Sequence, residues 1–169
     1  ESRYHHSGSY NLKSLVYMKN NIFQPSVFWR REVLGIVGYM DIELHLAMDL
    51  DYWIRAGLNY RTIGYIPEPL SVAKIYPQAK SSAMMTGYVK EYEYILKKTR
   101  CNPYASPLVR LWCKDALPFI QAKGALDFLH AGMFTDAARY MGKSLIANPI
   151  GSTIFSFELA SKFLGDRLT

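Results

Sequence analysis

In "NLKSLVYMKN", Leu12, Leu15 and Val16 recur at helical spacing and predict a short helix ending near Asn20. "FQPSVFW" reads as a short extended run, because Gln24 precedes Pro25 and is biased out of the helical region. "RREVLGIVG" predicts another short helix, with Val33, Leu34 and Val37 on one side and Gly38 as its stop. In "AMDLDYWIRAG", Asp49 stands where a helix cap would, Asp51 falls in the first turn, and Gly57 sits at the position of a left-handed C-terminal cap. "YRTIGYIPEPLSVAKIY" is rich in β-formers but interrupted by Pro67 and Pro69, which predicts an edge strand followed by an irregular connection.

Near Ser81 and Ser82 the pattern turns helical and stays so. Tyr88, Tyr92 and Ile95 share a face of a helix that finishes in cations; Pro107 opens the next helix and Pro118 kinks or ends it. "AKGALDFLHAGMFTDAARYMGKSLIANP" predicts a helical hairpin, broken at Gly132, restarted at Thr135 or Asp136 and stopped by Pro149. A last helix is expected over 154–164. The fold class expected is therefore α+β, mostly α, with a mixed portion over residues 1–81 and a helical extension over 82–169.

Composition supports a folded chain: of 169 residues, half are hydrophobic and 14% aromatic, enough for a substantial core. The net charge of +6 is spread out, its densest run being Lys97-Lys98-Thr99-Arg100, and no basic stripe with interleaved aromatics marks a nucleic-acid partner. Attraction to anionic phosphates or lipid head groups, and with it peripheral membrane association, stays open. Cys101 and Cys113 lack zinc-site spacing and point to a reducing, cytoplasmic compartment. No apolar run approaches the ~20 residues of a membrane span. The chain opens at Glu1 without methionine and reads as part of a longer protein.

The run from "NIFQPSVFWRREVLGIVGYMD" through "AMDLDYWIRAGLNYRTIGYIPEPLSVAKIY" resembles the second half of an inverting glycosyltransferase family 2 domain of the GT-A type. The resemblance covers roughly residues 11 to 82 and is carried by Gln24, Pro25, Arg30, Arg31, Gly38, Asp41, Asp49, Asp51, Trp53 and Arg55. It implies transfer of a sugar from a nucleotide-sugar donor to a hydroxyl of a saccharide or lipid-linked acceptor, in cell-surface saccharide assembly. Inversion needs a carboxylate to take the acceptor proton, and by resemblance that base is Asp49. Asp51 pairs with Arg55 four residues on and stiffens the helix start. By the same resemblance Gln24, Arg30, Arg31, Asp51, Trp53 and Arg55 form the substrate side. On pattern alone, both acids read as helix-capping residues, Trp53 as core or pocket wall, the two arginines as solvated or ion-paired, Gln24 as a turn residue and His45 as an ordinary loop histidine.

The sequence departs from the family in two places. Where many members carry Arg-x-His, whose histidine helps hold the divalent metal (Mg or Mn), this chain has Lys74-Ile75-Tyr76, and no metal is assigned to this stretch. The nucleotide-binding first half with its Asp-x-Asp motif is missing, so the stretch by itself is expected to be inactive. The 122–149 hairpin, in turn, resembles a single tetratricopeptide-type unit through Ala125, Phe128, Gly132, Ala137, Ser144 and Pro149. One such unit cannot bury its own faces, so the alternative reading is a helical interaction module with a protein partner at the tail. The two readings separate on whether a cleft lies beside Asp49 or an apolar groove runs along the hairpin.

Overall fold

The computed structural model describes residues 9–19, 22–59, 63–72 and 85–151. In chain order these form α1 (Leu12–Val16), a 3-10 turn (Gln24–Ser26), α2 (Arg31–Val37), α3 (Met48–Asn59), α4 (Met85–Cys101), α5 (Pro107–His130) and α6 (Phe134–Ala147). Among the described residues there is no strand, which corrects the expected α+β class and removes the sheet on which a GT-A half would be built. The reason is local. "QPS" closes into a 3-10 turn with Pro25 at its start, and Val27 and Arg30 beyond it are extended but, among the described residues, have no strand to pair with. Across 63–72, Pro67 and Pro69 offer no amide to a ladder, and β-forming side chains make a strand only where a partner edge exists. The expected helix over 154–164, the Lys74-Ile75-Tyr76 stretch and the 81/82 boundary lie outside the described residues.

Helices α4, α5 and α6 run as consecutive hairpins. Ser106 caps α5 by accepting the Val109 amide at 3.3 Å, and Pro107 occupies the first turn, where its missing amide costs nothing. Pro118 does not end α5: the helix passes through to His130, and the buried Ser144 hydroxyl of α6 donates to the Pro118 carbonyl at 2.6 Å. Gly124 lets α4 approach, since a Cβ there would lie 2.4 Å from a Val89 methyl. Phe128 stacks on Tyr140 at 5.2 Å, closing the α5–α6 interface around the buried Ala125, Ala137 and Ser144.

Buried side chains form two clusters. One joins α4, α5 and α6 and includes Val16; the other surrounds α3 and includes Leu15, Leu50, Tyr52, Trp53, Ile54 and Ile95. Short α1 thus contributes adjacent residues to different cores, packing on both α3 and α5. Helix α3 passes the expected stop at Gly57 and ends at Asn59, with the Tyr10 side chain lying against Gly57 and its hydroxyl donating to the Trp53 carbonyl at 3.2 Å.

Candidate functional site

The two acids that open α3 enter different environments. Asp51 is 1% exposed and held by Arg55 one turn on (2.8 Å) and by Lys98 of α4 (3.0 Å). Lys98 also reaches Asp41 at 2.6 Å, which accepts the Tyr94 hydroxyl at 3.1 Å. Arg55 spends its other donors on the carbonyls of Val37 and of Tyr39, the latter at 2.9 Å, and lies over the Tyr52 ring. The network fastens the 38–47 loop to α3 and α4. Its charges respond: the Lys98 hydrogen bond, against some desolvation, holds the Asp41 carboxyl below its ordinary range. Burial works against the Lys98 ammonium, but its bonds to Asp41 and Asp51 outweigh that and raise its pKa.

The entry into α3 is secured from α4. The Glu91 carboxylate accepts the amides of His45 (2.9 Å), Leu46 (2.9 Å) and Ala47 (2.8 Å), placing negative charge beside the helix N-terminus. Asp49 accepts the Leu50 amide at 2.8 Å. Asp49 is among the residues that line a cleft of about 520 Å³ between the end of α1 and α3, α4 and α5. Burial raises its pKa above the ordinary 3.8, while amide hydrogen bonds from Leu50 and its own backbone pull the other way.

The cleft is also lined by Tyr88 and Tyr92, whose rings are 5.5 Å apart, and by Lys123 and Asp127, paired at 3.1 Å. Both tyrosine hydroxyls are held protonated, first by burial and further by nearby negative charge including Asp49. A half-buried carboxyl, two phenols, an ammonium and a second carboxylate on apolar walls can bind a polar, hydroxyl-bearing molecule and take a proton from it.

No known family, curated protein or solved structure matches this chain. Together with the lack of strands among the described residues, this overturns the resemblance to glycosyltransferase family 2. The dipeptides that carried the resemblance have local duties here. Gln24 starts the exposed 3-10 turn. Arg30 caps α2 through its backbone and pairs loosely with Glu32 at 3.7 Å with its side chain 86% exposed, and Arg31 is the exposed first residue of α2. Trp53 is 4% exposed in the α3 core, edge-on to Tyr52 and to Trp29.

Of the sequence-derived site residues, Asp51 and Arg55 meet each other, Asp49 lines the cleft, and Gln24, Arg30, Arg31 and Trp53 lie outside its walls. Met18, Tyr88, Tyr92, Lys123 and Asp127 are among the other residues that line the cleft, and none of them is a site residue in the sequence reading. The Lys123–Asp127 spacing is an ion-pair signal on one helix face, but only tertiary packing sets it beside Asp49. Among the described residues no group of three or more His, Cys, Asp or Glu converges on a point where a metal ion could be held. No helix among them is long and apolar enough to cross a membrane. On the hairpin, Leu129, Met133, Phe134 and Ile146 remain exposed.

Proposed function

We propose that the cleft beside α3 binds a hydroxyl-bearing ligand of the saccharide type, and that Asp49 takes the proton of that hydroxyl as its oxygen attacks an electrophilic carbon. The O–H bond breaks toward the Asp49 carboxylate, a new C–O bond forms, and the leaving group departs from the donor carbon with its electron pair. Sugar transfer from a nucleotide-sugar donor to an acceptor is the reaction class this suits, in a longer protein that also holds the donor, these residues by themselves supplying the acceptor side and no turnover. The observation that carries the reading is that Glu91, on another helix, secures the entry to α3 while Asp49 lines a cleft. Desolvation makes its carboxylate more basic than one in water, the direction a proton acceptor needs. Tyr88 and Tyr92 supply the aromatic surface and hydroxyls that a sugar ring meets on its apolar and polar faces.

A second reading, in which the α5–α6 hairpin docks a protein, draws on the exposed Phe134 and Ile146.

The test is NMR on protein carrying labelled aspartate carboxyls. Methyl glucoside at millimolar concentration should shift the Asp49 carboxyl and the Tyr88 and Tyr92 rings, and Asp49 should titrate above the ordinary aspartate range. An Asp49 signal that titrates normally and ignores methyl glucoside and a panel of other methyl glycosides would end this reading.

A further inference from the structure

Helix α1 closes with a pair of reversed hydrogen bonds: the Lys19 amide donates to the Ser14 carbonyl at 2.9 Å and the Met18 amide to the Leu15 carbonyl at 2.9 Å. This closure places the residue just beyond the cap in the left-handed region, where glycine is the usual occupant. Here it is Met18, with φ 58°, the one non-glycine residue of positive φ among the described residues. The same chain meets the same requirement at the end of α5 with glycine. There the Met133 amide donates to Phe128 at 2.9 Å, the Gly132 amide to Leu129 at 3.0 Å, and Gly132 has φ 74°. A long side chain is therefore kept at Met18 against the backbone's own preference. Part of that side chain packs on both cores, and it forms part of the wall of the Asp49 cleft.

The cleft wall is divided in character. Asp49, Lys123 and Asp127 offer charge, whereas Met18, Phe119 and Ile120 offer apolar surface. A free sugar would satisfy the first group and leave the second against water. We propose that Met18 is a specificity-determining residue of this cleft, and that the ligand is a glycoside whose alkyl or aryl group rests on the Met18 thioether while its sugar hydroxyls face Asp49. The proposal rests on the saccharide reading of the cleft. The unbranched, polarizable side chain of methionine conforms to either kind of apolar group.

Methyl, octyl and phenyl β-glucoside, each below any micelle-forming concentration, are titrated against wild type, Met18→Gly and Met18→Asn while the Asp49 carboxyl signal is followed. Asparagine tolerates the left-handed backbone, so Met18→Asn keeps the closure and removes the thioether. Wild type should bind the octyl and phenyl glucosides about tenfold more tightly than the methyl glucoside. Both variants should lose that preference, the ratio of octyl or phenyl to methyl glucoside affinity within each protein falling to about one. Equal affinity of wild type for the three glucosides, or variants that retain the preference, overturns the role of Met18 and leaves the cleft reading intact, because methyl glucoside still moves Asp49. An Asp49 signal that no glucoside moves in any of the three proteins overturns both.

Discussion

Replacing Glu91 by alanine tests whether α3 depends on a carboxylate borrowed from α4. That carboxylate accepts three consecutive amides, those of His45, Leu46 and Ala47. A hydrogen bond to a charged group contributes about 1.5–3 kcal/mol net, and a buried donor left without a partner costs about 1–3 kcal/mol. Ala47 is 2% exposed, so its amide loses its partner where water does not readily replace it. His45 is exposed and Leu46 half-buried, and their amides recover part of the loss from solvent. Glu91→Ala should therefore lower stability by about 2–4 kcal/mol, a fall in melting midpoint of roughly 5–15 °C for a chain of this size. Glu91→Gln keeps one carbonyl acceptor without charge and should lose about half as much. Urea unfolding followed by circular dichroism gives the free energies, and hydrogen exchange at the Ala47 amide locates the effect. A Glu91→Ala protein within about 0.5 kcal/mol of wild type, or one that is destabilised while the Ala47 amide stays protected, would refute the reasoning.

Asp49→Asn should raise the melting midpoint at pH 7. Burial lifts the Asp49 pKa above 3.8, so folding favours the protonated form, and the ionised form is a liability that grows as pH rises through the folded-state value; the gain should vanish in melts run well below pH 4. Lys98→Met should act with the opposite sign of pH dependence. The lowered Asp41 pKa contributes stability above the ordinary aspartate range that is lost as pH falls, and the variant should show a shallower loss between neutral and acid pH than wild type. Gly124→Ala should destabilise by about 1–2 kcal/mol, overpacking against Val89 exceeding the helix-propensity gain, whereas Gly142→Ala, whose Cβ would meet nothing within 4 Å, should stabilise by roughly 0.5–1 kcal/mol; calorimetry on the pair decides whether the α4–α5 contact is as close as described.

The helices were legible wherever apolar spacing and end signals agreed. Arg31–Val37 with Gly38 beyond it, and the hairpin turning at Gly132, follow from side chains a few residues apart. The errors came where distant partners decide. Gly57 has the look of a cap, yet α3 runs past it beneath Tyr10, more than forty positions earlier in the sequence. Pro118 has the look of a break, yet α5 continues through it against α6. The β-rich character of 63–72 counted for nothing without a ladder partner. In the site, the Asp51–Arg55 pair was readable because both residues lie on one helix. That Glu91 would hold the start of α3, and that Tyr88, Lys123 and Met18 would surround Asp49, depends on contacts between helices that no local pattern encodes.

Leu15 and Val16 are neighbours in sequence, each 0% exposed, and each belongs to a different core. Helix α5, against which α1 packs, begins at Pro107, 91 residues after Val16. A ribosome working at about 5–20 residues per second takes roughly 5–20 s to make that stretch. Through that interval α1, five residues long and unable to hold its shape alone, has half its burial site not yet synthesised. The hairpins of α4, α5 and α6 close over short connections and can form as they emerge, so the early-made segment is among the last to be secured. Slower translation of the residues between Val16 and α5 would lengthen the time for which Leu15 and Val16 stay without their full burial sites.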